Sequence, residues 1–236
     1  MKEFKTKSII NNKFNISSLI YSLLKPAYLF LSINLIFIAG CSALKKNEFV
    51  NICASSSFPC LNTTEHVLLI TNKGKIKLEL YGEYAPITVG SFIEYVEKGA
   101  YDKTVFNRVI KKPYPFIIRA GDNSLIKSEN KFINKQTGKV RSIPLEIKLK
   151  INNLPTYGKE IDISKQKNNI ELKHKRSYLS MARSKKLNSA NSQFYILLKS
   201  LPELDGRFSV FGKVISDMNV VELIEEGDFI VKAERL

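Results

Sequence analysis

The chain has 236 residues, 37 Lys and Arg against 22 Asp and Glu for a net charge of +15, 44% apolar residues, three Cys, two His and no Trp. That supplies one sizeable core, while 11 Gly and 8 Pro are too few for a disordered or collagen-like chain. His66 and His174 stand apart without a metal-ligand cluster, and no G-x-G-x-x-G or G-x-x-x-x-G-K-[ST] occurs, so zinc, dinucleotide and P-loop enzymes are set aside and neither metal nor cofactor is expected.

The first element in the chain is an address. Lys2, Lys5, Lys7, Lys13 and Lys25 precede an apolar run from Ala27 to Ala39 that ends in Ile38-Ala39-Gly40-Cys41. Such a run makes roughly 20 Å of helix, short of the ~30 Å of a bilayer core. It has the length of a signal peptide. Ile38 to Cys41 resembles the lipobox of bacterial lipoproteins, which implies cleavage after residue 40 and lipid on Cys41. The alternative is an uncleaved anchor reaching back to Ile16. Either reading puts the body of the protein outside the cytoplasm, tethered to a membrane of a bacterial envelope and facing the periplasm or exterior.

Residues 41–65 read as a tether. Within it Cys53 and Cys60 are spaced to close a local disulfide, which export permits, or to remain free. A folded domain is expected over 66–236. Val67 to Ile70, a turn at Asn72-Lys73-Gly74, and Ile76, Leu78 and Leu80 alternating with Lys77 and Glu79 predict a hairpin. Val89, Phe92, Ile93 and Val96 fall at helical spacing between Pro86 and Gly99. Short strands are predicted at 105–110, 116–119, 145–151, 178–182, 194–198 and 209–214. A second helix is predicted on Val220, Leu223 and Ile224, closing at Gly227. The pattern suggests a mainly β protein, a closed antiparallel barrel capped by two helices.

The charge excess is local. Between Asn123 and Arg176 lie 13 Lys and Arg and five acids. This stretch reads first as solvated surface, with anionic lipid, phosphate or acidic protein as the other options, and nucleic acid is not expected as a partner.

Six segments in order carry a resemblance. Gly74-Lys-Ile-Lys-Leu-Glu-Leu-Tyr81, Phe106-Asn-Arg-Val-Ile110, Phe116-Ile-Ile-Arg-Ala-Gly-Asp122, Leu179-Ser-Met-Ala-Arg183, Asn191-Ser-Gln-Phe-Tyr-Ile196 and Leu204 to Val214 are similar to those of cyclophilin-type peptidyl-prolyl cis-trans isomerases, in a bacterial lipoprotein form. The resemblance implies a closed eight-stranded barrel with the insertion 123–176 as an enlarged basic loop flanking the groove. It also implies a monomer acting on proline-containing segments of unfolded or exported proteins. Arg108, Phe116 and Gln193 would be the catalytic residues. Ile117, Arg119, Ala182, Arg183, Tyr195, Leu204 and Phe208 would bind substrate, the chain backbone near Ala182 and Arg183 holding an extended peptide.

The chemistry stands on its own terms. An X–Pro bond turns slowly because amide resonance raises a barrier of about 18–20 kcal/mol. In the twisted state the prolyl nitrogen regains its lone pair, and a fixed guanidinium interacts more strongly with that lone pair than with the planar amide. By the two-residue period of a strand, Phe106, Arg108 and Ile110 should share a face, setting this arginine among apolar neighbours.

Four positions depart from the family. Asn107 stands where His is common, Arg119 where Gln is usual, Tyr195 in place of a second Phe, and Glu203 where a Trp that helps bind cyclosporin often sits, so weak inhibition by that drug is expected. Asn107, Arg119 and Glu203 motivate the alternative of a catalytically weak peptide-binding or holdase module.

Overall fold

A computed structural model of the chain describes residues 53, 58–121, 132, 141–216 and 218–236. The expected signal peptide at 1–40, Cys41 and most of the tether lie outside the described residues, as does much of the 123–140 part of the insertion. Cys53 and Cys60 form a disulfide, with Cα atoms 5.5 Å apart.

The predicted hairpin is β1 (Thr64–Thr71) and β2 (Gly74–Tyr81). Its alternation does what a period of two requires: Val67, Leu69, Ile76, Leu78 and Leu80 are fully buried on one face. The turn is closed by the Thr71 hydroxyl, which donates to the Gly74 carbonyl at 2.8 Å and accepts the Lys73 and Gly74 N–H groups at 3.1 Å.

Helix α1 (Pro86–Glu97) follows, with proline in its first turn and no side-chain cap from Ala85. The free amides at its start are met from elsewhere. Glu146 accepts the Ile87 N–H at 3.0 Å, the Thr88 N–H at 2.7 Å and the Thr88 hydroxyl. Glu146 is 1% exposed, because the helix terminus offers a buried carboxylate three donors. Burial raises its pKa to about 7, against the lowering effect of Thr88 and Ile87. The face of α1 toward the sheet carries Phe92, whose ring meets those of Tyr101, Phe194 and Phe211 at centroid distances of 4.8–5.3 Å.

The remaining strands are β3 (Arg108–Ile110), β4 (Ile117–Ala120), β5 (Glu146–Ile147), β6 (Thr156–Tyr157), β7 (Tyr178–Met181), β8 (Phe194–Leu197), β9 (Val210–Val214) and β10 (Ile230–Arg235). Eight of them make one antiparallel sheet in the order β10-β1-β2-β9-β7-β8-β4-β3. The sheet curls into a half-barrel and is open, which corrects the expectation of closure. Between its edges β10 and β3, only an isolated bridge joins Val105 to Phe229, with backbone bonds such as Phe106 N–H to Asp228 O at 2.7 Å alongside. Lys103 and Thr104, in the turn before β3, exchange backbone bonds with Ile230 at 2.7 and 2.9 Å, but the β3 ladder itself starts only at Arg108.

Two further corrections concern element content. Strand β10 has no alternation to reveal it, since only Ile230 and Ala233 are buried. The run 145–151 is a ladder only at Glu146–Ile147, paired with β6, and a bridge at Leu149–Ile170. Leu145, Ile147, Leu149 and Ile170 nevertheless build a small core of their own. Two short helices complete the description, α2 (Ile163–Gln166), which was not foreseen, and α3 (Met218–Leu223), which was.

Candidate active site

A second apolar cluster, separate from the main core, is built from Ile117, Tyr195, Leu197 and Leu201, with Ile110, Phe116, Ala182 and Leu204 packed against it. Register explains it. Ile110 faces Ile117 across β3–β4, and Ile117 faces Leu197 across β4–β8. Phe106 does not join this face as its spacing suggested. It lies before the ladder begins and is fully buried in the main core.

Over this cluster lies a hollow of about 200 Å³ lined by Arg108, Phe116, Ile117, Arg119, Ala182, Arg183, Tyr195, Leu204 and Phe208. At ~30 Å³ per water that is room for six or seven waters, suited to a side chain and a peptide link. Nine of the ten expected site residues of the folded domain are therefore brought together. Gln193 is not part of the wall. Its carbonyl accepts the Ala182 N–H at 2.9 Å, which also commits to the sheet a donor expected to serve a bound peptide.

Arg108 stands at the edge of the hollow, exposed, and among the described residues it has no ion-pair or hydrogen-bond partner for its guanidinium. Its Cα partner across the strand pair is Arg119. Arg119 is half-buried, and its Nε–H donates to Asn107 Oδ1 at 2.8 Å, while Asn107 Nδ2 donates to the Gly121 carbonyl at 3.3 Å. Burial, and then the charge of Arg108, lower the pKa of Arg119. Gly121 sits at φ +90° with the Ser192 carbonyl 2.4 Å from where a Cβ would lie, so no other residue lets β4 end this close to the approach to β8.

Arg183 behaves differently from the other two arginines. It lies 4.7 Å over the Phe208 ring, donates to the Arg207 carbonyl, and pairs with Glu160 at 2.6 Å. Next to Glu160, the Ile161 N–H donates to the Gly206 carbonyl at 2.9 Å, so residues 160–161 contact the segment that carries Leu204 and Phe208.

Behind the wall is a polar group that the sequence did not announce. His174 is buried, with its backbone N–H and its Nδ1–H both directed to Asp205 Oδ1, at 2.7 and 2.9 Å. Its Nε2 lies 3.3 Å from Ser180 Oγ and 3.5 Å from the Tyr195 hydroxyl. Burial raises the pKa of Tyr195. No local signal marked the pair, since His174 lies between Lys173 and Lys175, and only burial makes its polar partners necessary.

The comparisons with known proteins bear on this geometry. Residues 66–235 match the family described as "Cyclophilin type peptidyl-prolyl cis-trans isomerase/CLD". A peptidyl-prolyl cis-trans isomerase of Dictyostelium discoideum is 36% identical over 161 residues, covering 68% of this chain and 84% of that protein. A Synechocystis protein named for peptidyl-prolyl isomerisation in the thylakoid lumen is 33% identical over 198 residues, and the 79% of this chain that aligns spans only about half of it, 49%. Among solved structures, a cyclophilin-type isomerase of Cryptosporidium parvum crystallised with the dipeptide Ala-Pro is similar at a TM-score of 0.51 and 28% identity, covering 71% of this chain and 96% of that one. With an apolar hollow rimmed by an arginine that has no partner among the described residues, and a family match and sequence relatives across the folded region, the chain belongs to the cyclophilin-type peptidyl-prolyl cis-trans isomerases.

Proposed function

We propose that this isomerase turns X–Pro bonds in exported proteins, with Arg108 stabilising the twisted amide while the proline ring occupies the hollow over Ile117, Tyr195 and Leu204. The observation that carries the reading is the guanidinium of Arg108, without a partner among the described residues, at the rim of an apolar hollow. A cation already tied to a carboxylate would stabilise planar and twisted amides alike, whereas a free one gains most where the nitrogen lone pair develops. Phe116, Phe208 and the backbone around Ala182 and Arg183 complete the peptide groove, and Gln193 acts from behind rather than in the wall. No bond is broken, so the reaction needs no nucleophile and no titrating base.

The export reading rests on the lysine-rich start, the short apolar run and Ile38 to Cys41, with lipid on Cys41 holding a monomer at the membrane. The disulfide between Cys53 and Cys60 agrees with an oxidising compartment. The lumenal Synechocystis relative agrees with it too.

The deciding experiment follows cis-to-trans exchange of a proline peptide with the full-length chain and with Arg108→Ala. Loss of one stabilising donor is expected to lower kcat/KM by roughly 10²–10³, with circular dichroism unchanged. A wild-type rate near background, equally small in the variant, would replace this reading with the peptide-binding module. Mass spectrometry of the mature N-terminus tests the anchor: an acylated Cys41 is expected, and an intact leader would overturn it.

A further inference from the structure

Asn107 and Arg119 are two positions at which the groove departs from the family pattern, and they are bonded to each other. Asn107 takes the Nε side of the Arg119 guanidinium at 2.8 Å. The terminal Nη groups of that fork have no hydrogen-bond or ion-pair partner among the described residues. Arg119 and Arg108 are cross-strand neighbours, and both line the hollow. The third arginine of the wall, Arg183, is already matched by Glu160. Among the described residues no acid lines the hollow; the carboxylate whose charge acts on Arg119 is Glu226, whose own contact is with the Val109 N–H at 3.5 Å. Two like charges side by side, one of them half-buried, are unfavourable until an anion reaches them.

We propose that the groove selects proline segments with a carboxylate on a residue adjoining the proline, and that Arg119, aimed by Asn107, is the residue that reads it. This rests on the hollow being the proline site. Arg108 is occupied with the prolyl nitrogen, which leaves Arg119 as the free fork, and a planar guanidinium matches a carboxylate through two parallel N–H bonds as an amide side chain cannot. The insertion contributes by neutralising Arg183, so that the unbalanced positive charge of the wall is confined to the β3–β4 side.

The test uses the full-length chain and two protease-free peptide sets read by NMR exchange, Ala-X-Pro-Ala and Ala-Ala-Pro-X, with X as Glu, Gln or Lys. In at least one set kcat/KM is expected to run Glu above Gln above Lys, with Glu over Gln by about threefold to tenfold at low salt. The ratio should shrink toward one at ~1 M salt, where the screening length is about 3 Å. Arg119→Gln should bring the Glu-to-Gln ratio to within twofold of one, and Asn107→Ala should reduce it partway. Equal rates for Glu and Gln in the wild type, or a ratio that survives Arg119→Gln, would overturn the proposal. Should Arg119→Gln fail to fold, Asn107→Ala and the salt series decide in its place. Absence of turnover on every peptide would instead defeat the isomerase reading of the hollow, and the same peptides titrated by chemical shift would then report the acid preference in binding alone.

Discussion

Glu146 and Asp205 are both buried carboxylates that accept backbone N–H groups, yet they serve different regions of the molecule. Glu146 holds the start of α1 against the sheet through Ile87 and Thr88. Asp205 holds His174 directly behind Tyr195, next in sequence to the wall residue Leu204. One supports the frame, the other the groove. The contrast teaches that burial and hydrogen bonding alone do not mark a functional group in this fold. Distance to the hollow does: removal of either acid should cost stability, but only removal of Asp205 should also reach the rate.

Asp205→Ala carries the largest expected effect. It strips two buried donors of His174 of their acceptor inside the protein, and each unsatisfied donor costs about 1–3 kcal/mol. Urea unfolding followed by circular dichroism measures the loss. Because Gly206 and Phe208 follow immediately, with Gly206 at φ +76° and the Ile161 carbonyl 2.4 Å from its would-be Cβ, the loop cannot relax without moving the wall. KM for a proline peptide should therefore rise even for the fraction that remains folded. An Asp205→Ala variant with wild-type KM would erase the proposed difference between the two acids.

Glu146 sharpens the comparison through pH. Its folded pKa of about 7 lies above the ordinary carboxylate value of 4.5. Between these two values the folded chain binds more protons than the unfolded chain, so stability falls as pH rises through that window. The contribution is full below about 4.5 and gone above about 7, and a shift of this size corresponds to roughly 3 kcal/mol at most. Glu79 and Glu94, whose pKa values are lowered, act with the opposite sign, losing their contribution only in more acid solution. Urea midpoints at pH 5 and pH 8 should therefore fall in that order for the wild type. In Glu146→Gln the slope across this window should flatten, with kcat/KM on a proline peptide unaltered at either pH. A slope that persists in Glu146→Gln would assign it to other groups.

Legibility in the sequence followed the range of the interaction. Strands β1 and β2 and helix α1 showed plainly, because alternating Val67, Leu69, Ile76, Leu78 and Leu80, and the spacing of Phe92 and Val96, are local patterns. The groove was legible through its motifs, since Arg108, Phe116, Tyr195 and Leu204 stand within strings whose order is itself informative. What failed depended on partners distant in the chain. Glu146 is called for by a helix start 58–59 residues earlier. The bond between His174 and Asp205 spans 31 residues with no pattern linking them. Phe106 shared the period of Arg108 but not its strand. Strand β10 has too few buried positions to alternate, and the gap between β3 and β10 is bridged only by backbone bonds of residues 103–106 that no periodicity announces.

Tyr195→Phe is the smallest of the expected effects and the finest probe of how the groove is supported. The hydroxyl lies 3.5 Å from His174 Nε2, at the outer limit of a useful hydrogen bond, while His174 keeps Asp205 at 2.9 Å and Ser180 at 3.3 Å without it. The ring, packed edge-on against Phe208 at 6.3 Å, supplies the apolar surface of the hollow whether or not the oxygen is there. Stability should change by less than ~1 kcal/mol and kcat/KM by less than about twofold, since the net contribution of so long a bond is small. A loss of tenfold or more would mean that the oxygen acts on the bound peptide rather than on His174, and the cluster behind Tyr195 would then belong to the reaction itself instead of to the wall that contains it.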